Sequence, residues 1–505
     1  MRPHVEKRGT KYRVRVRDEN RKWINLGSGF DTPEEAEAHG WEQINQMGRG
    51  TWIDPRNGEI TLTEWANAWL PAQDLVITTR QQYEYLLTNF VLPAFGERTL
   101  NSLAYADFEI NEWEARIRTA YSTSTARQAR GRLENLLHDA VTRQLIPRNP
   151  AIKPRGRGSI ETRRVHQNPT TTDDEKWTTP LGALLIAERM SLLTGRPDEF
   201  IFAITKFYTG LRFGEMIGLQ RDSLTLHQLR VDWQLYELSN SSVVRKLPKD
   251  GLRRVVDLPP FLSALLHHQL RSLPPQPKPE QTCPCVKFLD DPEYVAQYGH
   301  PAGVHLFPGR PGRGAGRPSP HHRRNGFGQW IFHPAAEGQI PRKGSTPRHP
   351  VPLQRAGWTG IPISGTKNAA ERSEMSWLPI APGLTAHGLR HSHKTLMEQE
   401  RIHRALQDER LGHTDGTVQS VYTHVTPTMR EELITALERH WEASLKARAR
   451  MWPSSRLPIL DRLIGRYRHL YQTYIPVQLP EKLAGPHLVP SRMTEAHHPS
   501  QVIGL

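Results

Sequence analysis

The amino-acid sequence predicts a multidomain α+β protein with three folded parts in chain order. A strictly alternating strand pattern near the start predicts a small N-terminal β-sheet plus helix module. Apolar residues at helical spacing over residues 60–147 predict an all-helical domain. Mixed helix and strand patterns over residues 173–447 predict a mainly α domain with a small antiparallel β-sheet. A length of 505 residues also fits about three domains rather than one.

The charge of the chain indicates a polyanionic partner. Lysine and arginine number 67 against 52 aspartate and glutamate residues, which gives a net charge of +15 and an isoelectric point of about 9.9. Nucleic acid and an anionic membrane are the partner classes that fit this balance. The mean hydropathy of −0.62, the lack of an apolar run of about 18 residues and the polar start MRPHVEKRG argue against the membrane. We therefore expect a cytoplasmic protein with no membrane partner.

Residues 1–50 are predicted to form the β-sheet plus helix module. The segment KYRVRVR, which starts at Lys11, alternates apolar residues with four cations, so the two sets face opposite sides of a strand. A capping box that begins at Thr32 starts the helix. The cationic face fits contact with DNA, and a solvated strand face is the alternative. The predicted DNA-binding residues of this module are Arg13, Arg15 and Arg17.

Residues 60–147 are predicted to form the all-helical domain. Tyr83, Leu86, Leu87 and Phe90 follow the spacing of one helix face, and the same spacing recurs from Leu133 to Ala140. Arginines on this last helix fit phosphate contacts in a major groove, with solubility as the alternative. The predicted DNA-binding residues here are Arg127 and Arg130, and residues 148–172 are predicted as a basic linker.

The first candidate catalytic motif in the third part of the chain is Thr209–Glu215 (TGLRFGE). An apolar helix over Glu199–Tyr208 is predicted to end at Thr209-Gly210, and Arg212 begins the next short helix with Glu215 one turn later. A helix N-terminus and an arginine fork both favour a phosphate anion. A surface salt bridge between Arg212 and Glu215 is the alternative.

Lys249 lies in the next motif, the turn Pro-Lys-Asp-Gly. Strands are predicted over residues 231–238 and 243–247, and the chain returns as a strand over residues 253–258. Lysines at turn tips are ordinarily solvated. Lys246 lies in the same predicted hairpin, so the choice between these two lysines stays open.

Residues 272–378 are predicted to be an irregular, loosely ordered basic insertion. Only residues 323–332 within it suggest a helix. Cys283 and Cys285, the two cysteines of the chain, are too few for a disulfide framework. Nearby histidines raise the alternative of a zinc site, but a single short pair does not have zinc-finger spacing, so we expect no metal.

The densest group of candidate residues follows this insertion. His387 and Arg390 are three residues apart on a helix predicted to start at Thr385, so they share a face. His413 stands in the segment LGH, and Tyr422 follows nine positions later. Taken alone, Tyr422 fits a half-buried packing residue. Residues 429–447 are predicted as an amphipathic helix, and residues 448–505 as a C-terminal tail with a second amphipathic piece over residues 457–471.

The ordered set TGLR with its Glu, a lysine in a β-turn, HGLRH, LGH and YTH resembles the tyrosine recombinases, also called phage-type integrases. The resemblance covers roughly Leu181–Leu445 and extends weakly to the two segments before it. It implies an arm-type DNA-binding module at 1–50, a core-binding domain at 60–147 and a catalytic domain at 173–447. It also implies that the helix at 429–447 docks on a neighbouring protomer, with docking on its own domain as the alternative.

The resemblance assigns a role to each candidate catalytic residue. Tyr422 would attack phosphorus, and the product would be a 3′-phosphotyrosine link. Lys249 would protonate the leaving 5′-hydroxyl, because an alkoxide needs a proton to leave. Electrostatic stabilisation of the pentavalent transition state would come from the remaining cationic and imidazole groups, without a metal. The residues that would hold the phosphate are Arg212, His387, Arg390 and His413.

The resemblance implies a site-specific DNA recombinase that integrates a phage or mobile element. Its partners would be double-stranded DNA attachment sites, with a homodimer on each site and a homotetramer in the synapse. An excisionase or a host DNA-bending protein are further candidate partners. No cofactor is expected, and the sequence contains no GxxxxGKS or GxxxxGKT nucleotide loop. The alternatives are a DNA-binding regulator with a vestigial site and a type IB topoisomerase or resolvase with the same chemistry.

Overall fold

The computed structural model describes residues 2–18, 21–50, 52–153, 177–275, 283, 285, 292–309, 320–338, 379–413, 424–451 and 454–472. The chain divides into two compact units, Met1–Pro169 and Thr170–Leu505. Within these described ranges, no helix combines the length and the apolar character that crossing a membrane requires.

The first unit begins with the predicted β-sheet plus helix module. Its three strands form an antiparallel sheet in the order β1–β2–β3, and helix α1 packs on it. Val14 and Val16 are buried, as the alternation predicted, and the Thr32 side chain accepts a hydrogen bond from Glu35 N at 3.2 Å to begin α1. The elements are β1 (His4–Arg8), β2 (Lys11–Arg17), β3 (Trp23–Phe30) and α1 (Pro33–Gly48).

The rest of the first unit is all-helical, as predicted. Its separate apolar core includes all four residues of the predicted stripe that runs from Leu133 to Ala140. A π-helical turn over Leu87–Val91 continues α3 into α4. The helices are α2 (Leu62–Trp69), α3 (Ile77–Leu86), α4 (Leu92–Phe95), α5 (Leu100–Leu103), α6 (Asp107–Ala120) and α7 (Thr123–Thr142).

The first part of the second unit surrounds two small antiparallel sheets with helices. Helix α9 ends where predicted, because Gly210 adopts a left-handed φ of 67° that most residues avoid. The elements are α8 (Pro180–Thr194), α9 (Pro197–Thr209), α10 (Phe213–Gly218), β4 (Gln228–Val231), β5 (Gln234–Glu237), β6 (Val243–Lys246), β7 (Arg254–Asp257) and α11 (Pro260–Ser272).

The predicted hairpin around Lys249 is wrong. Strand β6 pairs with β5 and strand β7 pairs with β4, so the turn at Lys249–Gly251 connects two different sheets. The five residues between β5 and β6 close a tight connection in which Leu238 N bonds Ser242 O at 2.8 Å. Strand β6 therefore pairs with β5, which is close to it along the chain, and β4 pairs with β7 on either side of this hairpin in the sequence.

The remaining described elements complete the same core. They are α12 (Pro292–Tyr298), α13 (Arg324–Phe327), a π-helical turn (Gly328–Phe332), α14 (His333–Glu337), α15 (Gly388–Gln399), α16 (Arg404–Leu411), α17 (Pro427–Met451), α18 (Pro458–Gly465) and α19 (His469–Gln472).

The prediction that residues 272–378 are loosely ordered is wrong for the described part of that segment. Leu306, Phe307 and Phe332 are at most 1% exposed and belong to the main apolar core of the second unit. Short apolar clusters at residues 306–307 and 331–336 produce this packing. The overall composition of the segment, which is rich in proline, glycine and arginine, does not reveal these two clusters.

The C-terminal boundary at residue 447 is also wrong. Leu457, Leu460 and Ile464 are at most 3% exposed and pack into the same core, so the folded unit continues at least to Gln472. Helix α17 buries Leu433, Leu437, Trp441 and Leu445 in its own unit, which is the alternative to docking on a neighbouring protomer.

Candidate active site

Three sequence motifs that are far apart in the chain meet at one place in the second unit. Arg212 stands at the N-terminal end of α10, Arg390 lies in the first turn of α15, and His413 follows the end of α16. Arg390 Nη2 donates a hydrogen bond to His413 Nε2 at 2.8 Å, and Arg212 Nη2 donates to Gly412 O at 3.3 Å. The structure therefore brings together three of the six predicted catalytic residues.

Arg390 is held by backbone carbonyls on both sides. Its Nη1 donates to Gly210 O and its Nη2 to Leu411 O, each at 2.7 Å. The residue is only 4% exposed. Burial, followed by the nearby charge of Arg212, lowers the pKa of Arg390 to about 9. The guanidinium is thus fixed in place and is surrounded by few counter-charges.

Glu215 supplies the negative charge that the cluster needs. It is fully buried, and it accepts hydrogen bonds from Arg212 N at 2.8 Å, Arg212 Nη1 at 3.0 Å and Arg254 Nη2 at 2.8 Å. Burial would raise the pKa of Glu215, but Arg254 and Arg212 together lower it to about 2. The salt bridge between Arg212 and Glu215 is confirmed, and it leaves the Arg212 side chain 20% exposed.

His413 has a defined orientation and remains accessible. Its Nε2 accepts the hydrogen bond from Arg390, so we assign the proton to Nδ1, which lies 3.6 Å from Asp408 Oδ1. Partial burial, then Arg390 and Arg212, lower the pKa of His413. The lowered pKa favours the neutral imidazole, and the side chain is 39% exposed.

His387 lies at the same end of α15 as Arg390, one residue before the helix begins. Its ring packs edge-on against His391, with ring centroids 4.8 Å apart. Burial, then Lys206 and His391, lower the pKa of His387 to about 4.

Lys206 is a buried cation beside the site that the sequence analysis did not identify. It is 1% exposed, and its Nζ donates to Leu211 O, the residue before Arg212, at 2.6 Å. Burial and then Arg390 lower its pKa to about 7. The available signal was a lysine inside the apolar helix Glu199–Tyr208, only three residues before the motif.

A second buried arginine network supports the segment before His413, and it was also missed. Arg254 Nε donates to Arg410 O at 2.9 Å, while Arg410 donates to His393 Nε2 at 3.0 Å and to Tyr208 O at 2.9 Å. Both arginines are under 10% exposed. These contacts connect α9, β7, α15 and α16, and they therefore fix the backbone that carries the site.

Of the two remaining predicted catalytic residues, only Lys249 is among the residues that the structure describes. Lys249 is exposed, and among the described residues it forms no hydrogen bond or ion pair with Arg212, Arg390 or His413. Lys246 lies in β6 with its Nζ 5.1 Å from the centre of the Tyr236 ring, and burial lowers its pKa. Tyr422 lies outside the described residues.

The predicted DNA-binding face of the first module carries an acid that the strand pattern did not reveal. Glu6, on the neighbouring strand β1, pairs with Arg13 at 2.6 Å and Arg15 at 2.7 Å. Arg15 and Arg17 lie over the Trp23 ring at 4.7 and 4.6 Å. Arg17 is exposed, so it is the most accessible of the three arginines.

The prediction that Arg130 contacts DNA is wrong. Its side chain is 4% exposed and donates to Ala151 O at 2.8 Å and to Glu114 Oε2 at 2.9 Å. Position 130 is in helical register with Leu133 and Leu137, so it lies on the buried face of α7. Arg127 is exposed on the same helix and stays a predicted DNA contact.

A second cluster, of buried cysteines and histidines, occurs in the insertion. Cys283, Cys285, His300 and His321 present ligand atoms that all lie within 4.8 Å of one another. The sequence analysis expected no metal here, because sequence spacing does not show that His300 and His321 fold back onto the cysteine pair.

Comparison with known proteins returns no matching protein-family model and no matching curated protein. Among solved structures, the chain is similar to the Tn1549 transposon integrase in complex with a circular intermediate DNA, at 14% identity and a TM-score of 0.45, over 75% of this chain and 99% of that one. It is also similar to the lambda integrase tetramer bound to a Holliday junction, at 12% identity and a TM-score of 0.35, over 84% and 99%. Both are integrases, and the motifs of this chain resemble the same family.

Proposed function

We propose that this chain is a tyrosine-type site-specific DNA recombinase, an integrase of a phage or other mobile element. The observation that carries the proposal is the meeting of Arg212, Arg390 and His413, with direct contact between Arg390 and His413 at 2.8 Å. These residues come from the three motifs that the family resemblance marks as phosphate-holding. No simple packing requirement brings two arginines and an accessible imidazole to one place.

The cluster is suited to a phosphodiester that gains negative charge in its transition state. Arg212 keeps part of its guanidinium accessible while Glu215 holds its other side. Arg390 is fixed by two carbonyls, so little reorganisation is needed when charge develops on the phosphate. His413 can donate from a ring nitrogen to a non-bridging oxygen once the DNA phosphate is bound, because a nearby anion raises the pKa of an imidazole.

The proposed reaction is a balanced transesterification. The Tyr422 oxygen forms a bond to phosphorus, the bond between phosphorus and the 5′-oxygen breaks, and a lysine supplies the proton to that oxygen. The phenol proton of Tyr422 passes to a neutral base. His387 is the candidate for this role, because it is unprotonated at neutral pH and the bound phosphate would raise its pKa from about 4 towards the range of an effective base. A 5′-hydroxyl of another strand reverses the steps, so no nucleotide triphosphate is consumed.

The proposed partners are double-stranded attachment sites, bound by a dimer at each site and by a tetramer in the synapse. Exposed Arg17 and Arg127 in the first unit are the proposed phosphate contacts outside the active site. Arg13 and Arg15 remain proposed DNA contacts that would exchange Glu6 for phosphate. An excisionase or a host DNA-bending protein would control direction.

Covalent trapping tests the proposed function. Half-site duplexes would first be selected from a random library by binding to the full chain, and then nicked near the scissile bond so that the released fragment diffuses away. We expect the wild-type chain and a Tyr294→Phe control to form a protein–DNA adduct on a denaturing gel, and Tyr422→Phe to form none. Sequence-specific binding without any adduct would instead support a DNA-binding regulator with a vestigial site.

The choice between Lys249 and Lys246 has its own test. The substrate carries sulfur in place of the 5′-bridging oxygen, because a thiolate is a far better leaving group and needs no proton. Lys249→Ala is expected to slow cleavage of the ordinary substrate by about 10²-fold or more and to be rescued by the thio substrate. Lys246→Ala is the matched comparison. Rescue of Lys246→Ala alone, or equal small losses in both variants, would reject Lys249 as the proton donor.

A further inference from the structure

We propose that Cys283, Cys285, His300 and His321 bind a structural zinc ion. All four residues are buried, with exposures of 1%, 6%, 3% and 1% respectively. Their ligand atoms lie within 4.8 Å of one another although they come from three separate parts of the insertion. Two thiols and two imidazoles, with no carboxylate among them, form the donor set that zinc prefers in structural sites.

The two sulfur–nitrogen distances within the cluster match a tetrahedral zinc site. Cys283 Sγ lies 3.4 Å from His321 Nε2, and Cys285 Sγ lies 3.4 Å from His300 Nε2. Zinc bonds of about 2.3 Å to sulfur and about 2.0 Å to nitrogen place neighbouring ligand atoms of a tetrahedron roughly 3.3–3.8 Å apart. The two Nε2 atoms are 2.9 Å apart, so a small opening of the His300 and His321 rings completes the geometry.

Without a metal, the cluster would depend on hydrogen bonds from weak thiol donors and on a contact between two imidazole nitrogens. The Nε2 atoms of His300 and His321 face each other, and two neutral imidazoles that face in this way have room for only one proton between them. Each thiol donor is weak, and burial of polar groups without strong partners is costly. A cation that accepts all four lone pairs removes this cost, because the cysteines bind as thiolates and the histidines as neutral rings.

The site would link the insertion to the part of the fold that carries the candidate active site. Cys285 Sγ lies 3.4 Å from Val243 O, at the start of β6, and Cys283 N bonds His300 O at 2.8 Å. On the other side, Leu306 N bonds Leu219 O at 2.9 Å, directly after helix α10. Zinc would therefore support both β6, which leads to Lys249, and α10, which directly follows Arg212.

The composition of the insertion explains why a metal would be useful there. Residues 272–378 are rich in proline, glycine and arginine, and outside the apolar clusters at residues 306–307 and 331–336 the sequence offers few apolar residues for a core. A structural zinc ion contributes folding free energy directly and replaces a hydrophobic core in such segments. The site is separate from the phosphate-binding cluster, and its role would be structural.

Metal analysis of the purified full-length chain tests the proposal. We expect a single zinc ion per chain after exhaustive gel filtration. Cys283→Ser, Cys285→Ser and His321→Gln should each lose it. His322→Gln is the matched control, because His322 is buried beside His321 but its ring packs against Phe202 and Phe327, with centroids 5.6 and 5.4 Å away. Cobalt should bind in place of zinc and give the intense visible bands of a tetrahedral thiolate site.

A measurement on the wild-type chain keeps the proposal falsifiable if the variants do not fold. Titration of the two thiols with a mercurial should release one zinc ion, detected with a chromogenic chelator, as the second thiol reacts. Folded wild-type chain with no zinc above the buffer level, or cobalt bands of an octahedral site, would overturn the proposal. Equal zinc loss in His322→Gln would overturn the ligand assignment. None of these readouts depends on DNA cleavage.

Discussion

At the scale of single residues, the arginines at the candidate site have few acidic side chains as hydrogen-bond partners. Glu215 is the acid between Arg212 and Arg254, whereas Arg390 and Arg410 are bound mainly by backbone carbonyls. Carbonyls orient a guanidinium but carry no full negative charge. The cluster is therefore a favourable place for an anion, and in the proposed reaction that anion is the DNA phosphate.

Lys206 provides a prediction about the dependence of stability on pH. Its pKa of about 7 in the folded chain lies below the usual lysine value, so between roughly pH 7 and 10 the unfolded chain binds the extra proton. The free energy of unfolding should therefore rise with pH through this range, by up to about 1.4 kcal/mol per pH unit from this residue. The stability of Lys206→Met should lack this rise. Compared with the wild type at the same pH, the variant should therefore be more stable at pH 7 than at pH 9.

Urea unfolding at pH 7, 8 and 9 measures this difference between the wild-type chain and Lys206→Met. Lys394→Met, which removes an exposed cation from α15, is the control and should follow the wild type. Parallel curves for Lys206→Met and the wild type would contradict the assignment of a lowered pKa.

Sequence reasoning succeeded where a residue and its partner lie on one element. The pairing of Arg212 with Glu215 could be predicted because the two residues are one helical turn apart. The contact of Arg390 with His413 depends on how α15 crosses the end of α16, and sequence spacing does not encode that crossing. The error at Arg130 was avoidable, since its register with Leu133 and Leu137 already indicated the buried face.

At the scale of elements, helix α17 is attached to its own unit by a buried ion pair. Arg448 Nε and Nη2 donate to the two carboxylate oxygens of Glu188 on α8, each at 2.7 Å, and both side chains are 1% exposed. Ser455, in the connection to α18, donates to the same carboxylate at 2.7 Å. The docking of α17 is therefore specified by charge as well as by its apolar face.

Removing one partner of this pair should destabilise the chain strongly. Arg448→Met leaves the Glu188 carboxylate buried without its main counter-charge, which costs about 3–5 kcal/mol in the free energy of unfolding. Arg448→Met combined with Glu188→Leu should recover much of that loss. Lys446→Met is the control, since its pair with Glu442 is exposed and worth at most about 1 kcal/mol. A loss below about 1 kcal/mol in Arg448→Met would show that α17 is held in another way.

At the scale of the whole molecule, the chain forms two units. The sequence predicted the positions of helices in these units better than it predicted where the folded part of the second unit ends. Helical periodicity and end signals identified α1, α7, α9 and α17, because these depend on local spacing. The sequence did predict an amphipathic piece over residues 457–471, but its pattern does not show which surface that piece packs against. The end of the folded unit was therefore missed, although Leu457, Leu460 and Ile464 are buried. Their burial depends on a surface that α17 and its neighbours create.

The corrected boundary predicts different behaviour for two truncated chains. A chain that stops after Gln472 keeps Leu457, Leu460 and Ile464 and is the reference for the comparison. A chain that stops after Met451 loses three buried side chains, each worth at most about 1.5–3 kcal/mol, and should melt at a lower temperature with reduced soluble yield. Differential scanning calorimetry makes the comparison. Equal melting temperatures would show that residues 454–472 contribute nothing to the core.

Gly210 and Gly412 end their helices in the left-handed conformation. Gly210 lies against Leu411 of the LGH motif, and Gly412 O accepts a hydrogen bond from Arg212 of the TGLR motif. A Cβ atom at position 210 would meet the Leu411 side chain at 2.6 Å, and one at position 412 would meet the Arg254 guanidinium at 2.9 Å. The two motifs are thus fitted to each other across 200 positions of chain. In a hybrid built from two related chains, these segments can be exchanged only as a pair, and a crossover between them would join surfaces that were never matched.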